Sequence, residues 1–186
     1  MSEENVKKLK LMFHAIEATG HSNAAIGFAQ ILAARGHEIV FVMNETMYDH
    51  FAKYGFRVLS LKQNSGNNVG ENKFELDENP AKQFAKSLEE SGMFSNKNSM
   101  KKMESFYSEE QKPMMDGMIK LAIAFSPQIE AYLEQEKPDV FVQDHFILSP
   151  SVHVSKIPWV LLCSSNPIWY YESLELPPPG SGKFEI

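Results

Sequence analysis

Apolar positions in the first third of the chain follow two alternating patterns. Leu9-Lys10-Leu11-Met12-Phe13-His14-Ala15 is short and mostly apolar, as a strand buried on both faces should be. Thr19-Gly20-His21-Ser22-Asn23 then has the composition of a turn that supplies helix-capping side chains. Over 24–34, Ala25, Ile26, Phe28, Ala29, Leu32 and Ala33 recur at helical spacing, and Gly36 stands where a helix end favours left-handed backbone. A β-branched strand is expected over 38–43, a short amphipathic helix over 46–54 ended by Gly55, and a third strand over 56–61. Strand and helix alternating with short connections predict a parallel sheet covered by helices.

The pattern breaks after residue 62. Asn64, Asn67, Asn68, Asn72 and Asn79 with Gly66 and Gly70 predict an exposed loop over 63–79. Phe84 and Leu88, four apart, fit a helix over 80–90, and 91–102 is again polar. The whole of 62–112 is expected to be an irregular, variable insert. Beyond it, 114–136 predicts one long helix or two, with Pro127 as a break or a new first turn. A strand over 138–144 ends in a carboxylate, a short helix follows over 149–155, and another strand over 157–163 contains Cys163, expected to be buried and inert. The tail Pro177-Pro178-Pro179-Gly180-Ser181-Gly182 ends four residues later without a closing helix, which points to a fragment. The expected fold is α/β: a Rossmann-like, doubly wound, mainly parallel sheet with helices on both faces.

Composition narrows the function. At 186 residues the chain suits one domain, and 43% hydrophobic with 23% charged residues excludes wholesale disorder and a coiled-coil rod. A formal charge of -6 argues against a nucleic-acid partner held by phosphate contacts. A single cysteine excludes a disulfide-stapled scaffold. The acidic start Met1-Ser2-Glu3-Glu4-Asn5 does not resemble a signal peptide, and no run approaches the roughly 18 apolar residues that span a bilayer. A cytoplasmic protein without a membrane segment is expected. There is no GxGxxG after the first strand and no GxxxxGK[ST] loop. His37, His50 and His153 show no ligand spacing, so no metal site is expected.

In open parallel sheets, ligands sit beyond the carboxyl ends of the strands. His21, after the first strand, and Asp144, closing the strand over 138–144, should share that rim. An imidazole accepts a proton near neutrality, and a carboxylate on its other nitrogen fixes the tautomer and stabilises the imidazolium. From spacing alone each residue has a plainer reading as a helix cap. His14, inside the first strand, is expected to be a packed core residue, and the pleat should turn His145 to the face opposite Asp144.

Two blocks carry a resemblance. Gly20-His21-Ser22-Asn23, then Ala34-Arg35-Gly36-His37-Glu38-Ile39-Val40-Phe41-Val42, resembles the amino-terminal signature of the UDP-glycosyltransferase family. Pro138-Asp139-Val140-Phe141-Val142-Gln143-Asp144, followed by Ile157-Pro158-Trp159-Val160, resembles that family's P-D-x-x-x-x-D and I-P-x-V strands in the same order. Asp144-His145-Phe146 and Ser164-Ser165-Asn166-Pro167 are most similar to the invertebrate branch. The resemblance covers most of the chain outside 62–112. It implies a two-domain GT-B fold in which residues 1–186 are the amino-terminal, acceptor-binding domain. It further implies inverting transfer of a sugar from a UDP-sugar to a small lipophilic acceptor, with His21 as general base and Asp144 as the acid that holds it. Nothing matches the family's donor signature of Trp, Gln, His and Glu, so no cofactor is expected on this domain alone. UDP-sugar would enter as co-substrate through a carboxy-terminal domain absent from this chain. The fragment by itself is then expected to be inactive.

The irregular middle and the helix after it are rich in Met and Phe, soft side chains suited to a pocket for varied apolar acceptors. Phe94, Phe106, Met118 and, on the strand rim, Phe146 are the candidate acceptor wall, with ordinary helix-to-sheet packing as the plainer reading. Two other functions remain open: a non-catalytic small-molecule-binding module, and a nucleotide-sugar transferase of another GT-B family.

Overall fold

A computed structural model describes residues 7–62 and 112–164, the latter with side chains from Asp116 onward, together with 86, 89, 90, 92, 95, 101 and 104. The chain divides into two compact units, 1–67 with 121–165 and 68–120 with 166–186. Of the second unit, Lys86, Glu89 and Glu90 are helical, and Gly92 follows at a φ of 76° with its N–H on the Glu89 carbonyl at 2.9 Å. The rest of the helix expected over 80–90 lies outside the described residues.

The first unit is built on five strands, β1 (Lys10–Ala15), β2 (Glu38–Asn44), β3 (Arg57–Leu61), β4 (Val140–Asp144) and β5 (Trp159–Leu161). All pairings are parallel and the spatial order is β3-β2-β1-β4-β5. The chain winds outward from β1 in one direction and then restarts at β4 in the other. The crevice between β1 and β4 is therefore the switch point, where ligands bind in open α/β sheets. The register sets Ala15 beside Asp144 at the carboxyl end of that crevice.

The pleat divides the core in two. Leu11, Phe13 and Ala15 of β1 pack with Phe41 and Val142 against Ala25, Ile26 and Ala29 of helix α1 (Thr19–Ala34) and Phe51 of α2 (Tyr48–Ala52). Met12, Val42, Leu61 and Phe141 pack on the other face against Phe125, Ile129 and Leu133 of α3 (Lys112–Glu136) and Val152 of α4 (Pro150–Val154). Helices thus cover both faces, as the apolar runs in the strands require.

Several boundaries differ from the sequence expectation, each for a physical reason. Helix α1 starts at Thr19, so Gly20-His21-Ser22-Asn23 forms its first turns rather than a turn before it, and the extended Ala18 at its N-cap offers no capping side chain. Its end is a Schellman motif: Gly36, at a φ of 87°, donates to the Ala33 carbonyl at 2.9 Å and His37 to that of Leu32 at 3.2 Å. A 3-10 turn over Glu45–Met47, capped by the Asn44 side chain, precedes the five-residue α2. Pro127 lies inside one continuous α3; it removes one backbone donor on an exposed side without breaking the helix. The last strand spans only Trp159–Leu161 and is exposed throughout, because none of its three side chains joins either core cluster. Cys163 accordingly lies past the strand and is half-buried, not sealed in the core.

Candidate active site

His21 is the third residue of α1, and the helix aims its ring at the end of β4. His21 Nδ1 lies 3.1 Å from Asp144 Oδ1. A carboxylate only accepts, so that contact places the ring hydrogen on Nδ1 and leaves the Nε2 lone pair free. Both groups are sheltered, with side-chain exposures of 18% and 5%. Asp144 Oδ2 is buried without a hydrogen-bond partner among the described residues. An unsatisfied carboxylate oxygen costs free energy that a positive charge on the neighbouring ring recovers. Neither residue caps a helix by its side chain: α1 has no side-chain cap, and α4 starts from Ser149.

Sequence reasoning missed a third partner. Ser164, just beyond β5, brings Oγ within 2.7 Å of His21 Nδ1. Nδ1 carries one hydrogen, and the charged carboxylate is the stronger acceptor. Ser164 Oγ then takes a second, three-centre branch, tying the end of β5 to α1. No spacing rule ties a serine at 164 to a histidine 143 positions away.

The other expected residues fall in different places. Phe146 is 51% exposed, and its ring meets that of His21 edge-on with centroids 5.9 Å apart. Met118 is half-buried on the part of α3 that belongs to the second unit. Phe94 and Phe106 lie outside the described residues. His14 is half-buried rather than a sealed core residue, because it sits at the open end of β1 and its Nδ1 reaches the Val42 carbonyl at 2.8 Å. Burial holds its ring below the ordinary imidazole pKa, against the opposing pull of that carbonyl. His145, past the end of β4, stacks on His14 with centroids 5.5 Å apart and 7° between the planes. Burial, then the positive charges that His14 and His21 would carry, lower its pKa to about 3. Glu17, in the loop from β1 to α1, is half-buried at the end of β2, and burial raises its carboxyl above the ordinary value while the Asn44 backbone opposes the rise.

Among the described residues, no cluster of three or more His, Cys, Asp or Glu side chains is placed to hold a metal ion, and no helix is long and apolar enough to cross a membrane. An open depression of about 330 Å³ lies at the opposite edge of the sheet, lined by Lys8, Leu9, Lys10, Gly36, Glu38 and Asp139. Three of its charged residues are already engaged: Lys10 pairs with Glu38 at 3.2 Å and with Glu136 at 2.6 Å, and Asp139 accepts from the Lys10 backbone at 2.8 Å. It also lies at the amino ends of the strands, away from the switch-point crevice.

No family model matches the chain. The demethyllactenocin mycarosyltransferase of Streptomyces fradiae is 33% identical over 58 residues, 31% of this chain and 13% of that protein. Among solved structures, the SsfS6 glycosyltransferase of Streptomyces sp. SF2575 superimposes with a TM-score of 0.52 at 17% identity, covering 82% of this chain and 38% of its own. The glycotransferase of kitacinnamycin gives a TM-score of 0.46 at 16% identity, covering 83% of this chain and 30% of its own. The chain therefore spans well under half the length of the proteins it matches. Its fold is the Rossmann-like α/β fold found in GT-B glycosyltransferases.

Proposed function

We propose that this chain is the amino-terminal, acceptor-binding half of an inverting, UDP-sugar-dependent glycosyltransferase acting on small lipophilic molecules. The observation that carries the reading is the 3.1 Å approach of His21 Nδ1 to Asp144 Oδ1 at the carboxyl edge of the crevice. With hydrogen on Nδ1, His21 Nε2 takes the proton of an acceptor hydroxyl. The acceptor oxygen forms its bond to the anomeric carbon from the face opposite the nucleotide. The bond from that carbon to the diphosphate oxygen breaks, its electron pair leaves with UDP, and the imidazolium returns its proton to solvent. Asp144 holds the ring in the basic tautomer and balances the charge formed on it. Phe146, exposed beside the ring, supplies apolar surface for the acceptor. The donor is held by residues outside this chain. Asp144-His145-Phe146 supports placement in the invertebrate-like branch of the family.

The test is His21→Ala in the complete protein, with transfer followed by release of UDP. Positioned proton transfer contributes roughly 10²–10⁴ in rate, so a fall of at least 100-fold with an unchanged circular dichroism spectrum is expected. A rate within threefold of wild type contradicts the reading and favours a binding module without base catalysis.

A further inference from the structure

The imidazoles of His14, His21 and His145 all lie near the edge where β1 and β4 part, and the proposed reaction uses only His21. The main chain fixes how the other two present themselves. The Val42 carbonyl accepts from His14 Nδ1 at 2.8 Å, so the hydrogen of that ring is on Nδ1 and its Nε2 carries the lone pair. The Ile147 N–H donates to His145 Nδ1 at 3.1 Å, so the hydrogen of that ring is on Nε2. The rings are parallel, 7° apart in plane and 5.5 Å between centroids. One bare acceptor and one N–H donor therefore stand on neighbouring rings. Neither Nε2 has a hydrogen-bond partner among the described residues, and neither is a buried orphan.

Their chemistry selects the ligand. Burial disfavours the charged form of both rings, so they present polar but neutral groups. A phosphate is an anion, held best by cations and by N–H donors, and two neutral rings of which one presents a bare lone pair suit it poorly. A hydroxyl both donates and accepts, and two neighbouring hydroxyls satisfy this pair completely.

We propose that His14 and His145 form a subsite for a neutral, hydroxyl-rich ligand of the sugar-ring type, His14 Nε2 accepting from one hydroxyl and His145 Nε2–H donating to its neighbour. The subsite deepens the proposed transfer reaction, resting on the reading of this edge as the ligand edge, but it requires no proton transfer by His21.

The experiment titrates the ¹⁵N-histidine-labelled chain with methyl glucoside, and separately with inorganic phosphate, following the imidazole nitrogens by NMR. Saturable shifts of His14 Nε2 and His145 Nε2 below about 200 mM glucoside, with no such response to phosphate, are expected. His145→Phe keeps a ring in the stack but removes the donor, and should weaken binding about tenfold or more, with partial recovery in His145→Gln. Absence of saturation, an equal response to phosphate, or undiminished binding in a folded His145→Phe overturns the proposal. If His145→Phe does not fold, the wild-type titrations decide alone. The readout is binding, so failure of the transfer reaction and failure of the subsite are separately visible.

Discussion

Replacing Glu136 by Leu removes the centre of an ion cluster at the edge of the sheet opposite the candidate site. The Glu136 side chain, 3% exposed, accepts from Lys10 Nζ at 2.6 Å, from Arg57 Nη1 and Nη2 at 2.7 and 2.6 Å, and from Gln135 Nε2 at 2.9 Å. These bonds join β1, β3 and the end of α3. Breaking a fully buried pair costs about 3–5 kcal/mol. Here the Arg57 side chain is 51% exposed, and Lys10 keeps Glu38 at 3.2 Å, so the orphaned charges retain solvent and a partner. A loss of about 2–3 kcal/mol remains after that discount. Urea denaturation should then show the midpoint falling by about 1 M.

The pH dependence of that difference is fixed by the partners. The Lys10 ammonium, first, and then Arg57 hold the Glu136 carboxyl below its ordinary value of 4.5. Its contribution is present above 4.5 and lost as pH falls through the lowered value. Glu136 chiefly, and then Glu38, raise Lys10 above 10.5, so its share is present below 10.5 and lost as pH rises through the raised value. The gap between wild type and Glu136→Leu should stay constant between those limits, close below the lower one, and only narrow above the upper one, where Arg57 still pairs with Glu136. A loss below about 1 kcal/mol, or a gap that varies between pH 6 and 9, would refute the reasoning.

Three further outcomes follow from particular residues. Gly36→Ala places a side chain at a φ of 87° and should cost about 1–2 kcal/mol in thermal or urea unfolding, whereas stabilisation would contradict the left-handed cap. His145, held to about 3 from an ordinary value of 6.5, should make the wild type lose stability as pH falls below 6.5; by pH 5 the difference from His145→Phe should reach up to about 2 kcal/mol, and parallel profiles would contradict it. Ser164→Ala should leave the His21 hydrogen on Nδ1 and lower the transfer rate by less than about tenfold, since Asp144 is the stronger acceptor. A shift of that hydrogen to Nε2, read by ¹⁵N NMR, would show that Ser164 holds the tautomer instead.

The sheet was legible because its strands are compact apolar runs separated by Gly36, Gly55 and cap-type residues. The meeting of His21 with Asp144 was legible because parallel sheets put the ends of their strands on one rim. What stayed hidden depended on tertiary surroundings. Thr19 to Asn23 has turn composition, yet forms helix, because His21 and Ser22 turn inward instead of capping. Pro127 looks like a break, yet one missing donor on an exposed face does not interrupt a 25-residue helix. The apolar residues at 157–163 look buried, but coverage comes from neighbours, and Trp159, Val160 and Leu161 remain 42%, 50% and 37% exposed at the sheet edge. His14 in an apolar strand looks like core until His145 is seen stacked on it.

The central claim is that His21 and Asp144 act as one unit. The direct measurement is a double-mutant cycle on transfer rate in the complete protein, using His21→Ala, Asp144→Ala and both together. The account predicts a steep loss in each single variant and a double variant within about threefold of His21→Ala, because the carboxylate has nothing left to orient. A double variant whose loss is the product of the two single losses would show that the residues act independently, and would contradict it.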